Sequence, residues 1–220
     1  MKILMISNHL GVQSGVQRYA QNLLLNMDLT RYRVDLFVGR CPPDQASSAP
    51  PLEAAGVRIF AVPDNKKDRT RALWRHLRTH RDYDIIHYHT ASKIGALTCV
   101  MIRALCPKAR LIVHSHIVYP PITLAWHVAH RLYQATADYF LGCGLAAGRF
   151  VFGSRIDRKP NFAVACNAVD RSRFHPDADA RARIRAQYGI ADSDRLAGFV
   201  GRLNHQKNPL VLLQVFGALA

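Results

Sequence analysis

The chain has 220 residues, 49% hydrophobic and 20% charged, a composition that suits a folded protein with one large or two small cores and argues against disorder. Lysine and arginine number 30 against 15 aspartates and glutamates, giving a formal net charge of +15, so the surface favours anionic partners: nucleic acid, anionic lipid or phosphorylated small molecules. Five cysteines form no CxxC pair and leave one odd, which argues against a disulfide framework and for a reducing compartment.

The opening MKILMIS is too short an apolar run for a secretory leader and reads as a first buried strand, Lys2–Ser7. Helical and strand patterns then alternate through Val16–Met27, Arg33–Val38, Val57–Val62, Thr70–Arg81, Asp84–Tyr88, Ile94–Leu105, Arg110–His114, Ile122–Ala135, Asp138–Cys143 and Leu145–Phe152. Such an order predicts an α/β fold of βαβ units around a parallel sheet. ILMI, LIVH and YFLG are apolar on consecutive residues, as expected of strands covered on both faces. CPPDQASSAPP at Cys41–Pro51 predicts a loop, with a short turn before the third strand. Arg103 interrupts the most apolar stretch, so no spanning helix is expected.

Beyond the short apolar run Phe162–Cys166, NAVDRSRFHPDADA reads as a surface connection between domains. A helix at Ala180–Tyr188, closed by Gly189, precedes a strand pattern at Leu196–Arg202 and a helix pattern at Pro209–Ala220. Residues 1–168 are therefore expected to form one domain, and residues 169–220 a linker and the front edge of a second domain whose remainder is absent.

Four places in the chain can carry chemistry. Gly11 and Gly15 lie in the turn after the first strand, with Ser14 placed to cap the helix that follows; this suits a phosphate, though a tight βα turn needs the same residues. Arg18, one turn into the helix, can reach an anion there. His87 and His89, then His114 and His116, end two strands in HxH pairs that share a face. They suit a metal, hydrogen bonds to sugar hydroxyls and phosphates, or a simple core role. Arg202 and Lys207 in GRLNHQKN can clamp a diphosphate at a helix start. Finally Lys67, Arg71, Arg75 and Arg78 form a stripe on a helix that sets Leu73, Trp74 and Leu77 on another face, a pattern that fits an anionic membrane or an ordinary solvated surface.

MKILMISNHLGVQSGVQRYAQNL, DIIHYHTASKIGAL, ARLIVHSH, ADYFLGCGLAAGRFVFG, NAVDRSRFHP and GFVGRLNHQKNPLVLLQVF stand in this order over nearly the whole chain. In them the chain resembles the retaining, group-one (family 4 type) GT-B glycosyltransferases of bacterial capsule and exopolysaccharide assembly. The resemblance implies two Rossmann-like domains about a cleft, the acceptor held mainly by the first and the nucleotide sugar by the second. It implies that Ser14 and Gly15 match a glycine pair near the donor diphosphate, that His116 matches a histidine beside the transferring sugar, and that Arg202 and Lys207 match the cations on the diphosphate. Arg18 and His89 are the acceptor-side candidates.

It further implies transfer with retention, no metal and no cofactor other than the nucleoside-diphosphate sugar as donor substrate. The acceptor is expected to be a polysaccharide or lipid-linked glycan, and the location cytoplasmic, peripheral on the inner face of the plasma membrane. Ser14 replaces the first glycine of the family's pair, Gly144 and Leu145 replace a Ser–Glu pair, and Ala168 replaces a glycine. The family's paired glutamates would lie beyond Ala220, so the 220-residue chain is expected to be a fragment with little or no activity. A metal-dependent hydrolase using the HxH pairs and a non-catalytic anion-binding module are the competing expectations. Nucleic acid is not expected, because the cations are scattered and aromatics do not interleave with them.

Overall fold

A computed structural model describes the chain apart from residues 13, 42–45, 63, 64, 91, 119–122, 202, 204–206 and 220 and the side chains of residues 66, 67 and 219. Two compact units result, Met1–Val169 and Asp170–Ala220.

The first unit is a seven-stranded sheet in which every neighbouring pair is parallel. Its strands are β1 (Lys2–Ile6), β2 (Arg33–Gly39), β3 (Arg58–Val62), β4 (Ile85–Thr90), β5 (Arg110–Ser115), β6 (Tyr139–Gly142) and β7 (Phe162–Val164), in the spatial order β3-β2-β1-β4-β5-β6-β7. Helices α1 (Gly15–Leu25), α2 (Ala49–Ala54), α3 (Lys66–Thr79), α4 (Gly95–Leu105), α5 (Leu124–Thr136) and α6 (Leu145–Phe152) cross between them. The expected α/β, Rossmann-like architecture is what the chain forms. Strand order reverses at β1 and β4, and open α/β sheets bind ligands beyond the carboxyl ends of strands at such a point.

Both faces of the sheet are buried, which explains the unbroken apolar runs. Ile3, Met5, Val34, Leu36 and Val38 pack with Leu24 of α1 and Leu52 of α2. On the opposite face Leu4, Ile6, Ile86, Leu111, Val113 and Phe140 pack with Leu73 and Leu77 of α3, Ile102 of α4 and Tyr133 of α5. At roughly 25 cal/mol per Å² of apolar surface, this double burial is the main force holding the sheet.

Three local expectations need correction. The segment read as a turn before β3 contains α2, whose first turn carries Pro50 and Pro51, where a missing N–H costs nothing. Helix α3 starts at Lys66, ahead of the expected Thr70, because Asn65 caps it: Asn65 Oδ1 accepts from the Asp68 backbone N–H at 2.8 Å. Leu196–Gly201, the described part of the expected strand, has no regular structure, and Val200 is fully exposed. A strand is stable only on a ladder, and none of the described residues of the second unit supplies one.

That second unit contains α7 (Ala178–Gln187) and α8 (Pro209–Leu219). Gly189 ends α7 as expected: at φ 64° it turns the chain so that its own N–H reaches Ala186 O at 3.2 Å and the Ile190 N–H reaches Arg185 O at 2.9 Å.

Candidate functional site

Parallel pairing places His89 opposite His114 and Thr90 opposite Ser115, while His87 sits beside Met5 of β1. The HxH spacing therefore puts all four imidazoles on the sheet face that carries α1. His114 stacks 4.1 Å from His116 and 5.1 Å from His89, and His87 lies 4.4 Å from His89. Tyr19, one turn into α1, closes over them, with its ring centroid 4.8 Å from His114, 5.5 Å from His116 and 5.9 Å from His89.

The cluster is largely dry, and its polar atoms are poorly matched. His87, His89 and His114 are all more than nine-tenths buried. His89 Nδ1 and His116 Nε2 share a hydrogen bond of 2.8 Å. His87 Nε2, His89 Nε2 and both nitrogens of His114 have no hydrogen-bond partner among the described residues. Burial disfavours the imidazolium: it pushes His87 and His116 down to about 4 and, with help from His116 and His87, His114 to about 2. Burial, followed by repulsion from His87, His116 and His114, holds His89 well below the ordinary histidine range. All four rings are neutral at pH 7, so each offers one N–H and one lone pair.

Helix α1 begins beside this cluster. Ser14 occupies the N-cap in extended conformation and its carbonyl accepts from Arg18 N at 3.0 Å, but its side chain makes no cap bond. The expected hydroxyl cap is thus absent, which leaves the first-turn N–H groups for another acceptor. A Cβ on Gly15 would meet nothing within 4 Å, so packing within the protein does not require glycine there. Arg18 is exposed and its Nη1 donates to Gln21 Oε1 at 2.8 Å on its own helix.

At the strand-order reversal lies a cavity of about 100 Å³ lined by Ser7, Asn8, Arg69, Tyr88, Ser92 and Gly95, among others. One wall is fixed by a relay in which the Thr90 hydroxyl meets Tyr133 OH at 2.8 Å and Tyr133 OH donates to Ser92 O at 2.7 Å. Gly95 is needed here: a Cβ would overlap the Thr90 hydroxyl and the Tyr133 phenol.

Of the sequence-predicted site residues, His89 and His116 pack against Tyr19, and Ser14 and Gly15 stand at the start of the same helix, one turn before it. Lys207 belongs to the second unit, just ahead of α8, and Arg202 lies outside the described residues. On α3, Arg71, Arg75 and Arg78 are exposed and Leu73 and Leu77 are buried; the Lys67 side chain is outside the described set. Trp74 departs from its expected apolar face. It is exposed, with the Arg78 guanidinium 4.5 Å from its ring centroid. The sequence reading missed Tyr19 and the Thr90–Tyr133–Ser92 relay; Tyr19 carried one signal, standing four residues after Gly15 on a helix.

A family model described as a glycosyl transferase 4-like domain matches residues 14–159. The chain is similar to a Bacillus subtilis (strain 168) protein named as a glycosyltransferase, EpsF, at 25% identity over 213 residues, 92% of this chain and 54% of that one. Among solved structures it is similar to Anabaena Alr3699/HepE, determined in complex with UDP-glucose, with a TM-score of 0.63 and 19% identity over 98% of this chain and 57% of that one. The chain thus spans about half the length of these relatives.

Proposed function

The chain belongs to the glycosyl transferase 4-like domain family, and from that premise we propose that it is the acceptor-side part of a GT-B glycosyltransferase. The enzyme moves a sugar, with retention, from a nucleoside-diphosphate sugar to a polysaccharide or lipid-linked glycan of bacterial capsule or exopolysaccharide assembly. The observation that supports this reading is the packing of Tyr19, one turn into α1, against His116.

In this reading the backbone N–H groups at Ser14 and Gly15 donate to the donor diphosphate, a helix terminus being suited to anions. His116 stands beside the transferring sugar. It is neutral at pH 7, and its hydrogen bond to His89 orients the ring. By the family resemblance, Lys207 and Arg202 are the candidate cations for the donor diphosphate. Preorganised donors of this kind stabilise the charge that develops as the glycosidic bond breaks. A nucleotide-sugar donor fits the printed title of the HepE complex, which names UDP-glucose.

The acceptor side is read at the cavity near Asn8, Ser92 and Gly95, with Arg18 as an outlying cation. A lipid-linked acceptor gives a purpose to the exposed Arg71, Arg75 and Arg78 with Trp74; α4 also exposes Leu97, and α5 exposes Leu124 and Val128. Cations of this kind are worth about 1 kcal/mol each near an anionic bilayer. No helix among the described residues is long and apolar enough to cross a membrane, and the reading is of a cytoplasmic enzyme resting on the inner face of the plasma membrane.

The experiment is sugar transfer from a panel of radiolabelled nucleoside-diphosphate sugars to a bacterial glycolipid extract. The 220-residue chain is compared with a chain carrying a complete second domain. Incorporation by the longer chain alone, lowered roughly 10²-fold by His116→Ala, is the expected result. Equal turnover by the short chain, or full activity without His116, would overturn the reading.

A further inference from the structure

Two strands bring one ring nitrogen from each of His87, His89 and His114 within 4.8 Å of one another. We propose that these imidazoles form a binding site for a divalent transition metal ion of the zinc type. The inference does not depend on the transfer reading and differs from the metal-free expectation attached to that chemistry.

Unpaired nitrogens are the first argument. His87 Nε2, His89 Nε2 and both nitrogens of His114 are buried without a hydrogen-bond partner, and a buried polar atom left unpaired costs about 1–3 kcal/mol. An ion that takes one lone pair from each ring removes most of that cost. Geometry is the second. Tetrahedral zinc with Zn–N bonds of about 2.0–2.1 Å needs nitrogens about 3.4 Å apart. The present nitrogens lie within 4.8 Å of one another on one face of the sheet, and binding requires side-chain rotation to close the remaining gap.

Ligand chemistry sets the class of ion. Imidazole suits zinc, copper, nickel and cobalt, whereas magnesium and calcium want oxygen. The group contains no carboxylate among the described residues, which leaves the fourth position to water or an anion and supplies no general base for a hydrolase.

The next shell is already built. A metal on His89 Nε2 leaves the ring proton on Nδ1, which donates to His116 Nε2 across the 2.8 Å contact. This is the usual arrangement for a ligating histidine, whose second nitrogen is held by a neighbour. It also fixes the His116 proton on Nδ1, so occupancy of the site selects the tautomer that His116 presents.

The test uses the whole chain without a histidine tag, stripped with a chelator and then given zinc or cobalt(II). Retention of about one equivalent after gel filtration, with the intense visible bands of tetrahedral cobalt(II), is expected. His87→Asn and His89→Asn should lower affinity by at least about tenfold, while His127→Ala and His175→Ala leave it unchanged. Circular dichroism establishes that each variant is folded. Failure to retain metal, weak octahedral-type bands, or equal retention by a folded His87→Asn chain would each overturn the site.

Discussion

His89 Nδ1 lies 2.8 Å from His116 Nε2, so the two imidazoles hold complementary tautomers and neither can move its proton without the other. In a longer, active chain, His116→Ala is expected to lower kcat by roughly 10²-fold, the scale of a lost transition-state donor. His89→Leu is expected to lower it by roughly tenfold with little change in KM. His89→Asn, whose amide can stand at the Nδ1 position, should recover most of that loss. Steady-state kinetics checks the series, and failure of the asparagine to recover activity would make His89 merely a packing residue.

Gly95→Ala places a methyl group against the Thr90 hydroxyl and the Tyr133 phenol, both held in a buried relay. Overpacking of this kind costs about 1–3 kcal/mol. Urea unfolding should show a lower midpoint with unchanged slope, and an unchanged midpoint would mean that the relay yields freely.

Asp35 is fully buried on β2, where it accepts from Arg58 Nε at 2.7 Å and Arg58 Nη2 at 2.6 Å, and from Tyr83 OH at 2.7 Å. Burial alone would raise its pKa, but the bonds from Arg58 and Tyr83 outweigh it and hold the carboxyl below its usual range. Asp35→Asn should cost about 2–3 kcal/mol. That is less than the 3–5 kcal/mol of a fully enclosed pair, because the Arg58 guanidinium reaches solvent. Urea titration of the variant measures the loss.

His76 bonds the same Tyr83 hydroxyl at 2.8 Å through Nε2. Burial first, and then the neighbouring charge of His80, push it down to about 4 from 6.5, with Asp35 pulling the other way and Lys2 and Arg58 adding to the fall. The unfolded chain therefore binds this proton at higher pH than the folded one. Its contribution is intact above about pH 6.5 and is lost as pH falls towards 4, with a slope of about 1.4 kcal/mol per pH unit. His76→Gln, which keeps a partner for Tyr83, should remove that slope from the difference between the two stability curves.

Arg71, Arg75 and Arg78 changed together to glutamine should reduce flotation with phosphatidylglycerol vesicles by roughly tenfold or more, at about 1 kcal/mol per cation. No difference would remove the membrane from the proposal.

Much of this was readable in the sequence. Apolar runs of strand length separated by helical patterns gave the sheet and the crossings, since both faces of a parallel sheet are covered and the signal is strong. HxH spacing gave the shared face of each pair. What spacing alone did not reveal is that β4 and β5 are neighbours in register, the fact that turns two pairs into one cluster. Tyr19 was hidden for the same reason, since its role depends on which strands α1 crosses. Leu196–Gly201 misled because an apolar run states only a preference, and a strand forms when another strand accepts its hydrogen bonds. Trp74 misled because its aromatic body suggested burial, whereas the Arg78 guanidinium accompanies it at the surface.

The position of β1 has a bearing on how the chain is made. Its residues pair with β2 on one side and with β4 on the other, and the Lys2 N–H donates to Asp84 Oδ2 at 2.7 Å. β1 is thus an inner strand of the finished sheet, and it is made before β4, one of its two partners. One of its edges stays open until Ile85–Thr90 have been synthesised, and an open edge invites pairing with other chains. Translation speed between β2 and β4 therefore sets how long each new molecule is exposed to aggregation.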